Sequence, residues 1–169
     1  MTPIAQPFTI HLGVNDALQA RFEEQAHSRG MSLIRLDLAG LSDLASLVDY
    51  LSKAFMFPHE VAGLDAATDL ISDLEWFGSA SGYLVAARGL AESSVVAESF
   101  VSILPNVVDR WRSQAVPFVV TIDAKGDQLQ RALLAANREM ERAGRLPWAQ
   151  PGTGPVDVID HTVEPGTDG

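Results

Sequence analysis

Residues 57–76 read FPHEVAGLDAATDLISDLEW. Pro58 and Gly63 make the first part a loop, because proline removes a backbone donor and glycine weakens regular structure. The remainder turns helical. Asp65, Asp69 and Asp73 recur at every fourth residue and so line one helix face. Leu64, Ala67, Ile71 and Leu74 recur at the spacing of a core-facing stripe. The expectation is a short helix held by one side that shows acid on the other. Like charges four apart on a helix repel by about 0.2–0.5 kcal/mol per pair, so the spacing points to a basic partner.

Working outward, Leu44, Leu47, Val48, Leu51, Ala54 and Phe55 keep a helical period behind a cap at Ser42. Phe57-Pro58 ends that helix, since the residue before a proline avoids the helical region. Residues 31–38 (MSLIRLDL) read as a strand, and so do residues 83–87 (YLVAA) and 118–122 (FVVTI). The last two are nearly continuous apolar runs, as in strands covered on both faces. Ser93 or Ser94 opens a helical stretch to about Gln114, in which Pro105 predicts a kink or two abutting helices. Gly126 or Asp127 starts a further helix that Gly144 stops. Upstream, residues 8–12 form a short strand, and Asn15 or Asp16 caps a helix to about Ser28.

Strands separated by helical crossovers predict an α/β fold, with a mostly parallel sheet and right-handed connections. The chain divides into an N-terminal extension (1–30), a central domain (31–123), a C-terminal helix (124–146) and a tail (147–169). The tail is rich in Pro, Gly and Thr, with four acids and no base. It reads as a segment without its own core, which Trp148 or the Val156, Val158, Ile159 cluster docks on the domain.

The formal net charge is −10, which disfavours nucleic acid, because phosphate binding needs a basic footprint. The acid is concentrated. Asp37, Asp43, Asp49, Glu60, Asp65, Asp69, Asp73 and Glu75 face Lys53 as the one base in that span. The absence of cysteine excludes disulfides and thiolate chemistry. No apolar run approaches the roughly 20 residues of a membrane helix, and the first residues lack a signal-peptide pattern. A cytoplasmic protein is expected.

Catalytic signatures are not found. His11, His27, His59 and His161 are scattered, without a zinc or triad motif. No glycine-rich phosphate loop is present, and no cofactor is expected. His59 lies in the loop beside the acidic helix. Asp65, Asp69 and Asp73 have the hard oxygen ligands that magnesium or calcium prefers, but no phosphate-binding lysine stands near them. A metal-dependent hydrolase using that face is therefore a remote alternative, and the protein is not read as an enzyme.

The span from Leu36 to Asp123 resembles the barstar family, small intracellular α/β inhibitors of secreted microbial ribonucleases. The likeness rests on a strand, a helix from Leu41 to the Phe57-Pro58 loop, the motif Asp65-Ala66-Ala67-Thr68-Asp69-Leu70, and then a strand, a helix and a strand. It implies a barstar-like small parallel sheet flanked by helices. By that resemblance Asp65 and Asp69 bind the basic active site of a ribonuclease or related nuclease toxin. Asp73, Glu60, His59, Gly63 and Thr68 complete the contact surface, and Glu98 takes the place of the family's second-helix glutamate. The loop His59-Glu60-Val61-Ala62-Gly63 departs from the family in lacking an aromatic and an asparagine. Thr68 stands where the family's namesake has a tryptophan. Those are the residue types that usually anchor protein interfaces. The resemblance thus implies an antitoxin or immunity protein, with a barstar-fold interaction module or homodimer without nuclease inhibition as the alternative.

Overall fold

Among the described residues the chain forms five strands and five α-helices. They run β1 (Thr9–Leu12), α1 (Asp16–Ser28), β2 (Ser32–Asp37), α2 (Leu44–Ala54), α3 (Leu64–Ile71), β3 (Tyr83–Arg88), α4 (Val95–Ser113), β4 (Phe118–Ile122), α5 (Asp127–Gly144) and β5 (Asp157–Asp160). The computed structural model describes residues 7–77, 81–90, 94–124, 127–144 and 156–161.

The strands make one sheet in the order β2-β3-β4-β1-β5, and every pairing is parallel. The α/β expectation holds, and the N-terminal strand does not lie at an edge. β1 enters between β4 and β5, so the first and last segments of the chain extend the sheet of the central domain. β4 is buried at every position and β3 at every position but Arg88, which explains their continuous apolar reading; β1 is also buried throughout, although it carries Thr9 and His11.

Side-chain alternation divides the core in two. Ile10, Leu12, Ile34, Leu36, Tyr83, Val85, Phe118, Val120 and Ile122 point to the face that carries α2, α3, α4 and α5. Leu84 and Val119 point the other way, to Phe22 and Ala26 of α1. The connection from β1 to β2 runs along the sheet in the opposite direction to the later ones. Right-handed crossovers then put its helix on the opposite face.

Three expectations need correction, and a fourth is met in a particular form. The cap of α2 is Asp43, whose Oδ1 accepts from the Ser46 amide at 2.8 Å, and not Ser42. Pro105 lies inside a single helix of 19 residues, so of the two expected outcomes the pair of abutting helices falls. Its flanking turns are anchored by buried Val101, Leu104, Val107 and Val108, so the lost backbone bond does not split it. The acidic helix α3 stops at Ile71, with Ser72 as its C-cap, and Asp73 therefore sits in the following turn. The docking expected of the Val156, Val158 and Ile159 cluster takes the form of a strand, in which residues 157–160 of the tail join the sheet beside β1. Asn137 on α5 is 7% exposed. Its amide donates to the Val156 carbonyl at 3.0 Å and accepts from the Val156 amide at 2.9 Å. The Asn137 side chain thus stands in for a strand neighbour, and β5 begins at the next residue. Trp148 and the rest of the segment lie outside the described residues.

Candidate protein-binding surface

The segment from Phe57 to Asp73 is fixed at both ends by residues in the left-handed region. At its start, Phe57 donates its amide to Ser52 O at 2.9 Å and Met56 donates to Lys53 O at 3.2 Å. This is the Schellman closure of a helix, with Met56 at the position that favours glycine (φ 51). At its end, Leu74 (φ 47) is fully buried. Trp76 Nε1 donates to Phe55 O at 2.9 Å and draws the two ends together. A line of ring contacts, Phe57–Trp76–Phe77–Tyr83–Trp111, carries this base into the core at centroid separations of 5.1–6.3 Å. Offset and edge-to-face rings at these spacings are favourable beyond their burial.

α3 is braced from behind. Ala67, Thr68 and Ile71 are buried. The terminal carbonyls, which have no partner within a helix, are taken by α4. Trp111 Nε1 donates to Ile71 O at 3.0 Å and Gln114 Nε2 to Ser72 O at 3.3 Å. Thr68 Oγ1 donates to Leu64 O at 2.8 Å. With 6% exposure, Thr68 is a packing residue and not a contact for a partner, which corrects its expected role.

Glu60, Asp65, Asp69, Asp73 and Glu75 are exposed. Glu60 borders a groove of about 230 Å³ between α2 and the loop. His59 is exposed, with Nδ1 at 3.1 Å from Glu60 O. Gly63 is the extended N-cap of α3 (φ −160) and has open space around it, so nothing in the structure demands glycine there. Asp69 is not alone. Arg110 Nη1 on α4 lies 2.7 Å from its Oδ1, with side-chain exposures of 42% for the arginine and 67% for the aspartate.

Glu98 does not join this surface. It lines a groove between α4 and α5, opposite Ala132, Ala135 and Glu139. Twelve helical residues separate it from Arg110, or about 18 Å along the axis. The α4 residue that reaches the acidic helix is Arg110, which the sequence reading missed. Spacing within α4 carries the signal: Arg110 shares a side with Trp111 and Gln114, the residues that hold the end of α3. Among the described residues no three of His, Cys, Asp or Glu are placed to hold one metal ion. With Asp73 off the helix, the metal-site alternative loses its geometry.

A family model described as Barstar (barnase inhibitor) matches residues 31–123, more than half of the chain. No curated protein and no solved structure matches it. The match begins just before β2 and ends just after β4, so β1, α1, α5 and β5 lie outside it.

Proposed function

The chain belongs to the barstar (barnase inhibitor) family, and from that premise we propose that it inhibits a basic ribonuclease or related nuclease toxin by covering its active site with the surface built on α3. The observation that carries this reading is the exposed row Glu60, Asp65, Asp69 and Asp73 on a segment fixed at both ends and braced by α4. Such a row substitutes for a chain of phosphates. Its field speeds encounter with a basic cleft, and its carboxylates then accept charge-assisted hydrogen bonds from Arg or Lys. Because Asp65 and Asp69 stand on a short, pre-ordered helix and Asp73 in the turn that closes it, little backbone freedom is lost on docking.

The test is inhibition of a basic ribonuclease, with barnase as the first probe. Asp65→Ala and Asp69→Ala are expected to weaken inhibition at least tenfold, since truncating a hydrogen-bonded interface charge costs about 2–5 kcal/mol, a general scale set in part by the barnase–barstar pair itself. Glu24→Ala, exposed on α1 across the sheet, is the charge-matched control and should change inhibition less than about twofold. Equal losses in all three variants would sink the reading.

Two observations favour a second reading, an interaction module without nuclease inhibition. Asp69 has a partner within its own chain, and the loop from His59 to Gly63 carries no aromatic anchor. That reading predicts no inhibition at any concentration and, for a homodimer, a dimer mass in sedimentation equilibrium.

A further inference from the structure

The inference drawn here rests on the inhibitor reading and concerns which targets its surface accepts. Arg110 is aimed before it meets Asp69. Its Nε donates to Asn106 Oδ1 one turn earlier on α4 at 2.9 Å, and Nη1 then donates to Asp69 Oδ1 at 2.7 Å. These bonds use two of the five guanidinium N–H donors, and three remain. Both side chains keep substantial exposure. The surface is therefore patterned, with Asp65 and Asp73 as bare carboxylates and a carboxylate–guanidinium pair between them.

We propose that Arg110 is a specificity-determining residue, which makes this surface select a target whose arginines or lysines have a carboxylate beside them. A target guanidinium that takes the outer oxygen of Asp69 stands next to the Arg110 guanidinium. A cleft lined by cations alone suffers that like-charge contact without relief, and like charges brought together across an interface reject a partner. A cleft with its own aspartate or glutamate in reach gives Arg110 a second acceptor, in the fork geometry that guanidinium suits and ammonium does not. The internal pair does not close the site. Exposed pairs of this kind hold by a factor of roughly 1.5 to 5, which a well-placed target exceeds. Discrimination comes from the repulsion left behind and not from the strength of the pair.

The test uses two peptide probes on the full chain at low ionic strength, a tetra-arginine and an Arg-Glu-Arg-Arg peptide, with affinities read by calorimetry. Arg110→Gln is expected to shift the affinity ratio toward the tetra-arginine by at least about threefold. Arg131→Gln, which removes the same charge from an exposed site on α5, is expected to leave the ratio near that of the wild type. Arg110→Lys should keep part of the preference, because the charge stays and the fork is lost. Asp69→Asn should weaken tetra-arginine binding more in the Arg110→Gln background than in the wild type. Equal shifts for Arg110→Gln and Arg131→Gln, or no binding of either peptide, overturn the proposal. Failure to inhibit any ribonuclease would remove the inhibitor reading and still leave the peptide ratio to report on Arg110.

Discussion

Folding of this chain should weaken as pH falls from about 7.5 to about 5, and a single buried histidine should account for most of the loss. His11 lies in β1, with 2% exposure. Its Nδ1 is 2.8 Å from Nε2 of His161, just past β5, and its ring meets Phe22 edge-on at 4.7 Å. His11 Nε2 has no hydrogen-bond partner among the described residues. Burial first, and then the neighbouring His161, lower the His11 pKa from 6.5 to about 4. The unfolded chain therefore binds this proton at a higher pH than the folded one. Stability is complete above about 6.5 and is lost as pH falls toward 4, because the unfolded state holds more protons throughout that window. With those two values, the loss between pH 7.5 and pH 5 is about 2 kcal/mol, out of about 3 kcal/mol for the whole shift. His161 adds in the same direction, since burial lowers its pKa while Asp160 opposes the change. Urea titration followed by tryptophan fluorescence reads the effect. With a slope of about 1–3 kcal/mol per molar, the midpoint falls by roughly 1 M. His11→Leu has similar volume and no titrating group, and should leave only the smaller share that belongs to His161. If wild type and His11→Leu lose the same stability between the two pH values, the assignment to His11 is wrong.

Three further outcomes follow from local geometry. Asn137→Leu leaves the buried Val156 amide and carbonyl without their partner, which costs about 1–3 kcal/mol per unsatisfied group; hydrogen exchange at Val158 and Asp160 should accelerate while exchange in β3 stays slow. Met56→Gly removes a side chain from a left-handed position that closes α2 and should raise the urea midpoint, with a gain of about 0.5–1 kcal/mol; a lower midpoint would show that the 62% exposed Met56 side chain makes a contact that outweighs its strain. Gly82→Ala should be among the most damaging small changes. Gly82 has φ +153 and a Cβ there would lie 2.8 Å from the Pro117 carbonyl oxygen, a backbone atom in the loop that leads into β4, so a melting temperature within a degree of wild type would contradict the close approach.

The sequence showed most elements because their hydrophobic periods are strong. β4 is a run of five apolar or β-branched residues buried at every position, and such a run has few other readings. The ends were harder. The four-residue spacing of Asp65, Asp69 and Asp73 continues beyond the helix that Asp65 and Asp69 occupy, because periodicity cannot see that the chain leaves the helix at Ser72 and turns through a left-handed Leu74. Residues 157–160 were read inside a tail because DVID is short and acidic. What makes it a strand is non-local: its partner β1 lies near the other end of the chain, and Asn137 holds its entry. The site was legible in the same uneven way. Exposure of Asp65 and Asp69 followed from the stripe opposite them. The burial of Thr68 and the distance of Glu98 depended on how α3 and α4 cross, which no count along the chain supplies.

That crossing is where family membership and this chain's own character meet. Trp111, Gln114 and Arg110 all reach α3 from the last turns of α4, but they act differently. The first two bond backbone carbonyls and hold the helix in place whatever its exposed face carries. Arg110 bonds a carboxylate on that face and so changes what a partner meets. Substitutions at Trp111 or Gln114 should therefore lower stability and binding together. Substitutions at Arg110 should leave stability within about 1 kcal/mol, the range of an exposed pair, while they alter the choice of partner. A common loss of stability at all three positions would mean that Arg110 is only another brace, and the patterned surface would then reduce to a plain acidic one.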